Sequence, residues 1–244
     1  MGRGKYLIVN ADDFGQSPGV NRGVIKAHEH GVVTSASLMT RWPATEEAAR
    51  YAREHPKLSV GLHLDLGEWA HRAGSWEALY SVVMLDDTEA VMKEIAVQLA
   101  TFRRLVGKDP THIDSHQHVH LREPTRSAVI DAARSLSIPA RDLNSPAHYC
   151  GNFYGQTAEG APLLDFIGVE ALVNVLKGLP EGVTEIGCHP ADTIDLDTMY
   201  RAERLEELRV LCDRRIRRTM DALDIELCSF GALPGDCHDS EVLA

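Results

Sequence analysis

The strongest constraint on the fold of this chain is an alternation. Short apolar runs of strand length give way to amphipathic helical stretches, and the pattern repeats along most of the sequence. Strand-like runs fall at 5–10, 32–39, 58–64, 111–115, 139–143, 184–188 and 225–230. Helical periods fill 18–30, 45–55, 88–106, 124–136, 166–179 and 199–223. The helices carry their own punctuation. Ser17-Pro18 opens the first and Gly31 closes it, Thr45 leads Glu46 and Glu47 into the second, and Gly107 ends the third. Strands alternating with helices imply a mainly parallel sheet covered by helices. Seven or eight such strands predict an α/β fold, a single distorted TIM-like (β/α) barrel that is closed or nearly closed. An open doubly wound sheet is the competing architecture.

No repeat, low-complexity tract or linker divides the chain. Residues 1–234 therefore read as one domain and 235–244 as a polar, frayed tail. There is no run of 18 apolar residues, which excludes a membrane span, and Tyr6-Leu7-Ile8-Val9 is too short for a signal-peptide core. Lys and Arg number 25 against 36 Asp and Glu, a net charge of −11 that would repel a nucleic-acid backbone. The densest basic cluster, Arg214, Arg215, Arg217 and Arg218, lies near Glu203, Glu206, Glu207, Asp213 and Asp221, and reads as a solvated, ion-paired helix face. Five widely spaced cysteines without a C-x-x-C point to free thiols in a reducing cytoplasm. The stretches 66–87 and 144–165 show no clear period and read as lids or substrate loops.

The chemistry gathers at strand ends. Four of the twelve histidines fall within nine residues, His112-Ile113-Asp114-Ser115-His116-Gln117-His118-Val119-His120, where a strand passes into a loop. Imidazole is the commonest side-chain metal ligand, and a neighbouring carboxylate fixes its tautomer. Asp12 and Asp13 follow the first strand directly, and adjacent acids need a cation or a shared proton to sit together. His63 ends the strand Val60-Gly61-Leu62-His63, and His189 follows Glu185-Ile186-Gly187-Cys188. A barrel brings all of these strand ends to one face. An acid and two histidines there can hold one divalent ion with open positions, leaving another carboxylate as base and another histidine as acid. The residues thus read as a metal-dependent hydrolase. Dinucleotide, P-loop, serine-esterase and zincin signatures are absent. His28-Glu29-His30 closes a helix, where adjacent side chains diverge, and reads as a solvated helix end.

Asn10-Ala11-Asp12-Asp13-Phe14-Gly15, Val33-Thr34-Ser35, Gly61-Leu62-His63, the segment from Thr111 to His120 and Cys188-His189-Pro190-Ala191 together resemble the YdjC/ChbG family of carbohydrate deacetylases. The order and spacing match over about residues 5–230, and the histidine-rich segment is the most specific part. The resemblance implies a distorted α/β barrel that removes N-acetyl groups from amino sugars, oligosaccharides or glycoconjugates. It places Asp13, His63 and His116 on one divalent metal ion, Asp12 as general base and His189 as general acid. It puts Arg141 and Tyr154 at the substrate, with Arg141 also able to orient Asp12, and Asp114 and His118 behind the ligands. The family points to magnesium, whereas mixed N/O ligation suits zinc or another transition metal. A homodimer is compatible with the resemblance. Segment 66–87 is shorter than in chitooligosaccharide-acting members and Gly231-Ala232-Leu233-Pro234 departs from them, so the chemistry transfers better than the substrate. Two other readings stand beside it: another metallohydrolase, such as an amidase or phosphoesterase, and a non-catalytic metal- or glycan-binding barrel.

Overall fold

Local signals start and stop most elements. A computed structural model describes residues 4–234, so the tail expected over 235–244 lies outside the described residues. After strand β1 (Lys5–Phe14), the Ser17 hydroxyl accepts the Val20 N–H at 3.1 Å and Pro18 takes the first turn of α1 (Pro18–His30). β2 (Ser35–Leu38), α2 (Thr45–Glu54) and β3 (Ser59–Leu64) follow. The expected loop over 66–87 is instead largely an antiparallel hairpin of β4 (Gly67–Arg72) and β5 (Ser75–Ser81). β5 is mostly exposed on both faces, so no apolar alternation announces it. Asp87 accepts the Ala90 N–H at 3.0 Å to start α3 (Thr88–Val106), and Gly107 ends it at φ 82°.

β6 (Ile113–Ser115) runs into a 3-10 turn (His116–Leu121) and α4 (Thr125–Leu136). The stretch 144–165 contains a short strand, β7 (His148–Cys150). After α5 (Val169–Lys177) and β8 (Gly182–Cys188), the single helix expected over 199–223 is two, α6 (Ala202–Leu211) and α7 (Arg214–Ala222). Asp213 breaks it: its backbone is extended, at ψ 126°, and its carboxylate caps the Arg215 N–H at 2.9 Å. β9 (Ile225–Leu227) closes the order.

The main sheet is parallel, in the order β6-β3-β2-β1-β8-β7. One edge of β1 runs along β8; its other edge pairs β9 at Lys5–Leu7 and β2 from Asn10. The strand expected over 139–143 is a single bridge, Ala140 to Ile113. Among the described residues no ladder joins β6 to β7. The sheet is therefore a curled parallel half-barrel: the α/β barrel-like arrangement expected is present, and full closure is not seen among the described residues.

Side-chain alternation sorts the two faces. Leu7, Val9 and Ala11 on β1, and Val60, Leu62 and Leu64 on β3, belong to the large apolar layer that also takes Val20, Val24, Ile95 and Phe102 from the helices. Each buried Val, Leu, Ile or Phe in this layer contributes about 1.5–3 kcal/mol. The concave face is different. Ile8 packs with Ala147 and Phe230 in a small separate cluster, and above it the buried residues are Asn10, Asp12, Ser37, His63, His112 and Asp114. Gly61 makes room for one of them, because a Cβ there would lie 2.5 Å from the His112 ring.

Candidate functional site

Asp12 and Asp13 end a strand, where successive side chains ordinarily face opposite ways. Here the β1–β2 register shifts between Ala11 and Phe14, and Asp13 adopts a left-handed backbone at φ 63°. Both carboxylates consequently serve the same site. Asp13 Oδ1 lies 3.2 Å from His63 Nε2, at the end of β3, and 2.9 Å from His116 Nδ1, just past β6. Its Oδ2 accepts from Arg204 of α6 at 2.7 Å. His63 turns its Nδ1 to Asp114 Oδ1 at 2.7 Å, which places a proton on Nδ1 and frees Nε2.

Asp13, His63 and His116 are all buried, and each can offer one ligand atom within 4.8 Å of the others. A carboxylate and two imidazoles, buried and converging at this spacing, are a donor set that fits a divalent ion. Burial opposes the charge on these groups, but the partners outweigh it. His116 and Arg204 hold the Asp13 carboxyl well below the usual range, Asp114 and Asp13 lift His63 to about 10, and Asp13 and Glu68 lift His116 to about 9. An ion entering this site displaces protons from both rings.

Asp12 sits beside this cluster, gripped by Arg141, whose Nη1 and Nη2 reach its two oxygens at 2.6 and 2.7 Å. Arg141 also meets Asp114 and Glu185, each at 2.7 Å. Burial raises the Asp12 carboxyl, yet Arg141 brings it below its ordinary value. Burial dominates at Glu185, which is pushed up to about 7 against the pull of Arg141. His189 follows β8 with Nε2 3.9 Å from Asp12 Oδ2; its backbone N–H donates to Glu207, which also accepts from Tyr200.

Asp12, Asp13, His63, His116 and His189 line a cleft of about 730 Å³, walled by Trp69, Trp76, Tyr149, Phe153, Tyr154 and Tyr200. Tyr154 stacks on Tyr200 at 5.1 Å between centroids and is 44% exposed. The structure thus brings together Asp12, Asp13, His63, Asp114, His116 and His189, with Tyr154 in the wall. Arg141 corrects the expectation of substrate contact: it is 0% exposed and spends its donors on three buried acids. His118 does not back a candidate ligand. Its Nε2 faces the Tyr149 hydroxyl at 3.3 Å, in the cleft wall. His28 lies elsewhere, bonded to Tyr51 at 2.8 Å.

A family model described as "YdjC-like protein" matches residues 6–222. The chain belongs to the YdjC-like family. Among its relatives, the carbohydrate deacetylase of Geobacillus stearothermophilus is 34% identical over 93% of this chain and 97% of its own length. The chitooligosaccharide deacetylase of Klebsiella pneumoniae is 34% identical over 85% of this chain and 90% of its own. A solved Enterococcus faecalis structure, of a candidate cellobiose-phosphate cleavage protein, superposes with a TM-score of 0.77 at 27% identity, covering 93% and 98% of the two chains.

Within this YdjC-like site, several residues escaped the sequence reading. Glu203 and Glu207 are buried, not partners of the arginine cluster, and Arg204 between them reaches Asp13. Their spacing with Leu208 and Leu211 puts them on the inward face of α6, which the nearby arginines obscured. Asn10 and Ser37 donate to Asp12 and Asp114 at 2.7 Å each. Their signal was a polar residue two positions from another on a strand with apolar neighbours between, Asn10 and Asp12 on β1 and Ser35 and Ser37 on β2.

Proposed function

We propose that this chain is a metal-dependent carbohydrate N-deacetylase that hydrolyses an N-acetyl group on an amino sugar, oligosaccharide or glycoconjugate. The carrying observation is the convergence of Asp13, His63 and His116 beside Asp12 and His189 at the base of an aromatic cleft. The names of the deacetylase relatives support the same chemistry and supply the substrate class. Aromatic faces along the cleft suit the apolar faces of sugar rings, and the volume suits more than a single ring.

Asp13, His63 and His116 would hold the ion, and the two imidazoles favour zinc or another transition metal over magnesium. A divalent ion bound there supplies Lewis-acid polarisation of the acetyl carbonyl and acidifies water. Asp12, kept ionised by Arg141, takes the proton of the attacking water as its oxygen bonds to the acetyl carbon. His189, facing Asp12 across 3.9 Å, gives a proton to the nitrogen as the C–N bond breaks, so acetate and a free amine leave. Tyr154 and the tryptophans orient the ring. Arg141 and Asp114 do not touch substrate; they hold Asp12 and His63 in register. The described cysteines are free, which supports a reducing compartment, and no helix among the described residues is long and apolar enough to cross a membrane.

Acetate release from N-acetylated chitooligosaccharides by the Zn²⁺-loaded protein tests the reading, with chelation abolishing it. Asp12→Asn should retain the ion and lose roughly 10²–10⁴ in rate. Ion binding without acetate release, but with phosphate release from sugar phosphates, would replace the deacetylase by a phosphoesterase.

A further inference from the structure

We infer that Glu68 is a positioning residue for the ion site, holding the His116 ring so that Nδ1 faces Asp13. This rests on the reading of Asp13, His63 and His116 as ion ligands. The two rings meet the same Asp13 oxygen in opposite senses. His63 presents Nε2 to Asp13 and Nδ1 to Asp114; His116 presents Nδ1 to Asp13 and turns Nε2 the other way. A ligating imidazole donates its second N–H to a carboxylate or carbonyl. His63 has that partner. His116 Nε2 is buried and bonded to nothing, and the acid facing it is Glu68, with Oε2 at 3.7 Å. Glu68 is itself only 4% exposed and makes no side-chain hydrogen bond among the described residues. The gap is too long for a hydrogen bond, and a shift of roughly 1 Å closes it.

The local fold is built to bring these groups together. Glu68 lies on the β4–β5 hairpin, entered through Gly67 at φ 146°, where a Cβ would come within 2.9 Å of the Tyr80 carbonyl. Opposite Glu68 in register, Tyr80 donates to Asp65 at 2.9 Å and anchors the hairpin from one side. From the other side, the residue after His116 clasps the residue after Glu68. Trp69 N–H donates to Gln117 Oε1 at 2.9 Å, and Gln117 Nε2 donates to the Trp69 carbonyl at 2.7 Å. Gln117 makes this clasp from a left-handed backbone, φ 51°, a conformation that persists only where surroundings enforce it. The hairpin that carries Trp69 and Trp76 into the cleft is thereby tied to the segment that carries His116.

The test titrates Zn²⁺ into ion-stripped wild type, Glu68→Ala, Glu68→Gln, His63→Ala and His116→Ala at one pH, with circular dichroism to verify folding. Absorption of the Co²⁺-loaded proteins reports the ligand set. Glu68→Ala should raise the Kd roughly 10–100-fold. Glu68→Gln, which keeps an oxygen to accept from Nε2–H, should lose less. The Co²⁺ band should keep its shape in both. Wild-type affinity in Glu68→Ala overturns the inference. So does a Co²⁺ band altered as in His116→Ala, which would make Glu68 a ligand instead. If the wild type binds no ion, the ligand reading falls as well; if it binds and only His63→Ala and His116→Ala are affected, the Glu68 inference falls alone.

Discussion

The two faces of the curled sheet solve opposite problems. The convex face carries Leu7, Val9, Leu62 and Leu64 against helices, an apolar layer that tolerates imprecise placement if volume is kept. The concave face, equally buried, carries Asn10, Asp12, His63, His112, Asp114 and Glu185, joined through Arg141 and Ser37. Buried charges are costly unless each is paired, so this face leaves little freedom of arrangement. Apolar packing is thus concentrated on one side of the strands, and paired buried charge with the candidate chemistry on the other. The same β-strand period supplies both, with apolar and polar residues at alternate positions.

The largest expected effect comes from breaking the concave face at its centre. Arg141→Met strands Asp12, Asp114 and Glu185 as buried acids without their shared cation, and should cost about 5 kcal/mol in urea unfolding. A loss no greater than an ordinary surface change would refute the claim that the concave face depends on this paired network. The convex face should lose less and lose it differently. Leu62→Ala opens a cavity, with an expected cost of about 3 kcal/mol, while Zn²⁺ affinity measured by titration stays at the wild-type value.

A pH titration sharpens the contrast further. Burial, aided by Arg141, pushes His112 from 6.5 down to about 4. Between those values the unfolded chain holds the extra proton, so stability falls as pH drops from about 6.5 to about 4. The slope from this group reaches at most about 1.4 kcal/mol per pH unit, and His112→Gln should remove it from the unfolding curves. Smallest is the outer surface of α7. Arg215 pairs with Asp213 and Glu170 in solvent, and Arg215→Ala should change stability by no more than about 0.5 kcal/mol.

Sequence legibility followed the same division. The convex face announced itself, because apolar residues at strand and helix periods and the signals at Ser17, Pro18 and Gly107 set the element order. The strand-end residues Asp12, Asp13, His63, His116 and His189 were also legible, since the α/β alternation sends their ends to one rim. Closure of the sheet was not: the 139–143 segment contributes only the Ala140 bridge, and no local pattern distinguishes a strand from a single bridge. The family resemblance left Arg141 either orienting Asp12 or meeting substrate, and only the tertiary arrangement of three acids, which buries it, decides for the first. Glu68 and Gln117 fell in segments whose pairing depends on each other, a relation that spacing along the chain does not carry.

The left-handed backbone of Asp13 has an evolutionary consequence. Asparagine adopts that conformation as readily as aspartate, and a single-base codon change converts one into the other. The substitutions the backbone accepts most easily there, glycine and asparagine, are therefore ones that take the negative charge away from His63, His116 and Arg204.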